Sequence, residues 1–123
     1  MTGSVKKIRC LAFLFIQMLL LPIAAFSTSD QEIEYLLDTV GRSGCTYIRN
    51  GKLYDSAKAE SHLRMKYEKG RRHAPTAEAF IERLASQSSL SKQSYYIECP
   101  GEAKVTSGHW LTKQLARYRG RED

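Results

Sequence analysis

The chain has 123 residues, with 19 Lys and Arg against 13 Asp and Glu, a formal net charge of +6. That length holds one domain and excludes a two-lobed enzyme with a cofactor cleft between its halves. A hydrophobic fraction of 42% and a charged fraction of 26% argue against intrinsic disorder.

The chain opens with Lys6, Lys7 and Arg9, and no acidic residue stands near them. An apolar run from Cys10 to Leu21 follows, broken only by Gln17 and ended by Pro22. Ala25-Phe26-Ser27 then sets small residues at the two positions that a signal peptidase reads. Together these form the three regions of a secretory signal peptide, cleaved after Ser27. The apolar run is shorter than the roughly 20 residues a permanent span needs. An uncleaved anchor is the alternative, and Cys10 lies on the wrong side of the run for a lipid-modified amino terminus. Residues 28–123 are expected to form a single mature domain of 96 residues. It carries sixteen basic and thirteen acidic side chains, a balance of only +3. So weak a field, in an exported protein, makes nucleic acid a poor partner. No later stretch is apolar enough to cross a membrane.

The mature part begins with Ser29-Asp30-Gln31-Glu32, which has capping-box spacing. Ile33, Leu36, Leu37 and Val40 follow at the spacing of one helix face, and Gly41 and Gly44 bracket the stop. Cys45 to Arg49 is β-branched and aromatic, Asn50-Gly51 supplies a tight turn, and Lys52-Leu53-Tyr54 returns as a short strand. Asp55 caps a second helix that runs to about Lys69, with Gly70 as its stop and Ala59, Leu63 and Tyr67 stacked at four-residue spacing. After the basic connector from Arg71 to Pro75, Thr76 caps a third helix lined by Ala77, Phe80, Ile81, Leu84 and Ala85. Residues 86–94 hold five serines and read as a loop. Tyr95 to Cys99 alternates like a strand and is broken by Pro100-Gly101. A last helix, capped near Thr106 or Ser107, turns Trp110, Leu111, Leu115 and Tyr118 toward the body. The expected fold class is α+β, with about four helices on a two- or three-stranded antiparallel sheet.

Cleavage leaves two cysteines, Cys45 and Cys99. An even pair in a small exported domain most simply forms one disulfide. Two free buried thiols or a redox pair are the alternatives, and the chain has no Cys-x-x-Cys to support the latter.

Several strings together carry a family resemblance: Ser43-Gly44-Cys45-Thr46-Tyr47-Ile48-Arg49-Asn50-Gly51, His62-Leu63, Lys66-Tyr67, Thr76-Ala77-Glu78 and Phe80-Ile81. Ala85-Ser86-Gln87-Ser88-Ser89, Tyr96-Ile97-Glu98-Cys99 and Trp110-Leu111 extend it. From about Ile33 to Leu115 the chain resembles the YfeK-like family of small exported bacterial proteins, a domain of unknown function. The resemblance implies export, the cysteine pair and an envelope setting, and it supplies no catalytic residue. The chain departs from the family pattern at Lys92, where a glycine is expected after Ser91.

Catalytic chemistry finds little footing. Ser89-Leu90-Ser91-Lys92 has Ser-x-x-Lys spacing, but a solvated serine loop explains it as well, and no Gly-x-Ser-x-Gly is present. His62, His73 and His109 are far apart and no His-Glu-x-x-His occurs, so neither a metal nor another cofactor is expected. Glu60, Glu68, Glu78 and Glu82 fit solvated helix faces better than a glycosidase pair. The most informative group is Arg49, Asn50, Tyr54, His62, Lys66 and Tyr67, because the hairpin and the second helix are joined directly. Such a patch suits an anionic group, the arginine offering paired N–H donors and the tyrosines flat contact area. A structural use is the alternative, with Arg49 and Asn50 making the turn while His62 and Tyr67 finish the core rim. The favoured function is a non-catalytic binding module, its partner an unidentified envelope protein or anionic envelope component. An inhibitor of an envelope hydrolase such as lysozyme, with residues 88–92 as a wedge, and a small hydrolase using Ser89 or Ser91 are the competing readings.

Overall fold

The computed structural model describes residues 28–120. The expected leader, residues 1–27, lies outside them. Helix α1 spans Ser29–Arg42, strands β1 and β2 are Thr46–Arg49 and Lys52–Tyr54, and helix α2 is Ser56–Gly70. A single 3₁₀ turn, Arg71–His73, leads to helix α3, Ala77–Phe80, whose winding widens into a π turn over Ile81–Ala85. Strands β3, Tyr96–Glu98, and β4, Val105–Thr106, precede helix α4, Ser107–Tyr118.

The capping box of α1 sits one residue earlier than its sequence spacing predicts. Thr28 is the cap: its hydroxyl accepts from the Gln31 amide at 3.2 Å, while Gln31 Oε1 accepts from the Thr28 amide at 2.9 Å. Glu32 is thereby released for another partner. Asp55, Thr76 and Thr106 cap α2, α3 and α4 as their residue types dictate. In the hairpin Asn50 and Gly51 adopt φ of 50° and 76°, the two left-handed positions that a tight turn between twisted strands requires.

The strands form one antiparallel sheet in the order β2-β1-β3-β4. The fourth strand corrects the expected two or three. Val105 and Thr106 pair with Ile97 and Tyr96, and two residues are too short a run to show alternation. One sheet face, carrying Tyr47 and Ile97, is buried against the helices, whereas Leu53 and Tyr96 on the other face stay exposed. The core joins that inner face to Ile33, Leu36, Leu37 and Val40 of α1, Ala59, Leu63 and Tyr67 of α2, Phe80, and Leu111 and Leu115 of α4.

Cys45 and Cys99 are disulfide-bonded, with their Cα atoms 4.2 Å apart. They flank the β1–β3 pairing of Thr46 with Glu98, so the bridge ties adjacent strand ends. Closing a loop 54 residues apart in sequence stabilises the fold by roughly 4 kcal/mol in the chain-entropy account.

Two arginines clamp the helices. Arg64 on α2 contacts Glu34 and Asp38 of α1 at 2.9 and 2.8 Å, and Glu60 of its own helix at 2.8 Å. Arg119, just past α4, holds buried Glu32 of α1 with two bonds of 2.6 and 2.8 Å and Glu78 of α3 at 2.8 Å. Tyr35 of α1 and Tyr118 of α4 stack with ring centres 4.5 Å apart. No helix among the described residues is long and apolar enough to cross a membrane.

Candidate functional site

A cleft of about 580 Å³ opens between the hairpin tip, α2 and the serine-rich turn. Its wall on α2 follows from helical spacing, because His62, Met65, Lys66 and Lys69 recur at three and four residues beside the buried Ala59-Leu63-Tyr67 stripe. Arg49 and Asn50 close it at the hairpin, Tyr95 backs it, and Leu84 with Gly70 forms the far end. Gly70 lets the Leu84 side chain approach the helix closely there. A Cβ at this position would stand 2.8 Å from a methyl of Leu84.

The Arg49 guanidinium is the centre of the arrangement. Its Nη1 lies 2.6 Å from Nδ1 and 3.0 Å from Nε2 of His62, and its Nη2 donates to the Tyr54 hydroxyl at 3.0 Å. A guanidinium has no acceptor, so the imidazole must accept and must therefore be neutral. Burial, followed by the charges of Arg49 and Lys66, holds the His62 pKa down at about 4. Lys66 donates to the Gln87 carbonyl at 2.9 Å and the Tyr95 hydroxyl at 3.1 Å. Burial, then Arg49 and Lys92, pulls its pKa down to about 8. The bond from Arg49 lowers the Tyr54 pKa, whereas burial raises that of Tyr95.

The charge balance of this cleft is one-sided. Arg49, His62, Lys66, Lys69 and His73 line it, and no aspartate or glutamate does. Among the described residues, the ion pairs leave both Arg49 and Lys66 without a carboxylate partner. Their partners are a neutral ring, two phenols and a peptide carbonyl. Of the five N–H donors of Arg49 and three of Lys66, several remain for an incoming acceptor.

The structure thus brings Arg49, Asn50, Tyr54, His62 and Lys66 together, Tyr54 from behind Arg49. Tyr67 stands apart. Its ring faces the core against Phe80, its hydroxyl donates to Asp30 at 2.8 Å, and Arg71 covers its outer face. Reading the sequence alone missed Tyr95, Met65, Lys69, His73, Leu84 and the serine turn as walls of the same cleft. Met65 and Lys69 were findable, since they share the helical stripe of His62 and Lys66.

The turn itself is built, not loose. Gln87 and Ser94 pair as an isolated bridge, and the Ser88 amide donates to the Gln93 carbonyl at 2.9 Å. Lys92 adopts φ of 63°, the left-handed conformation that explains the glycine expected at this position. The Ser91 hydroxyl donates to Asn50 Oδ1 at 2.7 Å and so pins the turn to the hairpin tip. Ser88 Oγ accepts from the Ser91 amide at 3.2 Å. Ser89 lines the cleft, but no hydrogen bond among the described residues joins a serine of this turn to a histidine. No group of three or more His, Cys, Asp or Glu among the described residues is placed to hold a metal ion.

Comparison with known proteins adds sequence kinship without a ligand. The chain is 34% identical over 93 residues to the uncharacterized protein YfeK of Salmonella typhimurium, an alignment covering 73% of this chain and 76% of that protein. No solved structure matches the chain. Residues 27–119 match the model of a family of unknown function, DUF5329, and the chain belongs to this family.

Proposed function

We propose that this protein is an exported, non-catalytic binding module of the bacterial envelope, and that its cleft receives an anionic group. The observation that carries the reading is the half-buried set Arg49, His62 and Lys66 without a protein carboxylate. Gathering like charges in a partly desolvated cleft costs stability. An incoming carboxylate or phosphate offsets that cost, and Arg49 can grip either with paired N–H donors. Export is supported by the leader-like pattern of residues 1–27 and by the disulfide, which persists in oxidising compartments. An NMR titration with inorganic phosphate tests the reading. Saturable shifts at Arg49, His62 and Lys66 that vanish in a folded Arg49→Ala variant are expected. Shifts spread evenly over surface lysines, unchanged by Arg49→Ala, would overturn it.

A second reading, inhibition of an envelope hydrolase such as lysozyme, draws on Leu90. This leucine is 96% exposed at the tip of the serine turn, an apolar residue offered to solvent as a wedge would be. Adding the protein to a lysozyme lysis assay tests it, and an unchanged lysis rate removes it.

A further inference from the structure

The cleft is more than a cationic patch, because its basic end continues into an apolar trough. Met65 is 41% exposed, Leu90 is 96% exposed, and both line this cleft. They are two of the four large hydrophobic side chains that the described residues leave exposed. Leu84 lines the same cleft, close against Gly70 of α2. The exposed Lys69 can lay its aliphatic stem along the trough while its ammonium stays in water. From His62 to Gly70 the helix provides about 12 Å of wall, the reach of a medium-length acyl chain. A volume of about 580 Å³ falls in the ordinary range of small-molecule sites.

We propose that the ligand is a single-chain amphiphile with an anionic head, carboxylate or phosphate, the head seated on Arg49 and Lys66 and the tail laid along Met65, Leu84 and Leu90. The proposal rests on the anion-binding reading and specifies what the anion is attached to. Two features of the cleft set the occupant. A purely polar anion would leave the exposed leucine and methionine without a role, and a neutral lipid would leave the cations without a counter-charge. A cationic amphiphile is repelled by Arg49, Lys66 and Lys69 of the lining.

Binding is measured by calorimetry on protein purified from cells expressing the full chain, with each amphiphile kept below its micelle concentration. The probes are acetate, octanoate, decanoate, inorganic phosphate, decyl phosphate, decanol and decyltrimethylammonium. Affinity should rise about twofold per methylene in a trough open on one side, so that decanoate exceeds acetate by well over tenfold. Decanol and decyltrimethylammonium should bind at least tenfold more weakly than decanoate. Comparing decyl phosphate with decanoate identifies the preferred head, lipid phosphate or fatty acid. Met65→Ser with Leu90→Ser, both at exposed positions, should flatten the chain-length dependence while leaving inorganic phosphate binding intact. Equal affinity for acetate and decanoate would overturn the amphiphile and leave the anion site standing. No binding by any anion would overturn both, and decanol binding as tightly as decanoate would overturn the anionic head.

Discussion

Arg64 and Arg119 in the helix clamps, and Arg49 and Lys66 in the cleft, show two uses of the same kind of charge. The first pair is surrounded by carboxylates, three around Arg64 and two around Arg119, and those partners lie on different helices. Their hydrogen bonds to carboxylates push both guanidinium pKa values up. The second pair sits against tyrosines and a histidine, and there burial, with neighbouring cations, pulls the pKa of Lys66 down, as it does that of His62. Cations that hold a fold together come with their anions. Cations left with neutral partners in a cleft carry charge that no carboxylate of the described residues meets, and the proposed anion site rests on that contrast.

The frame that carries both regions should be broken most severely at the disulfide. Cys45→Ser is expected to lower stability by roughly 4 kcal/mol in denaturant unfolding, because β1 loses its tie to β3. Arg119→Ala should come next, at about 2–3 kcal/mol, since it strands the buried Glu32 carboxylate, although Arg119 itself keeps some exposure. Arg64→Ala should cost less, about 1 kcal/mol, because Glu34 and Asp38 remain in contact with water.

Acid sharpens the contrast at the cleft. His62 titrates near 4 in the native state and near 6.5 when unfolded, where it is neither buried nor beside the charges of Arg49 and Lys66. Between those values the unfolded chain binds a proton that the native state refuses, so stability falls as pH drops from about 6.5 through 4. Allowing for solvent screening of a partly exposed ring, the loss from this group is about 1–2 kcal/mol in urea midpoints followed across that window. Lys66 acts with the same sign higher up, stability rising with pH from about 8 toward 10.5. Relieving the left-handed backbone with Lys92→Gly should gain about 0.5 kcal/mol, the strain removed being partly cancelled by a freer unfolded chain. The smallest change in stability is expected from Arg49→Met, within about 0.5 kcal/mol of wild type, because lost hydrogen bonds and relieved repulsion oppose each other. A loss of 2 kcal/mol or more would make Arg49 a structural residue of the hairpin.

Much of this architecture was legible because local signals are strong where they are periodic or covalent. The apolar stripe of α1, the Asn50-Gly51 turn and the caps Asp55 and Thr76 each act through neighbours a few residues away. Strand β4 was not legible, since Val105 and Thr106 gain their identity only from Tyr96 and Ile97 across the sheet. The shift of the first cap to Thr28 was hidden for a related reason: Glu32 fits the capping box by spacing, yet its carboxylate is held by Arg119, 87 residues away. In the cleft, hairpin and helix residues were found through their adjacency in the chain. Tyr95 and the serine turn were missed because folding brings them in from 29 to 41 residues away, through Lys66 and Asn50. Tyr67 shares the spacing of the buried stripe, and the core claims it.

The His62 ring reports on the missing counter-charge most directly. Its proton occupancy, followed by NMR from pH 3 to 8 with and without saturating sulfate, should show half-protonation near 4 in the free protein and a rise toward 6.5 once sulfate occupies the cleft. A ring that titrates near 6.5 from the start and ignores sulfate would mean that Arg49 and Lys66 have no unmet charge to offer.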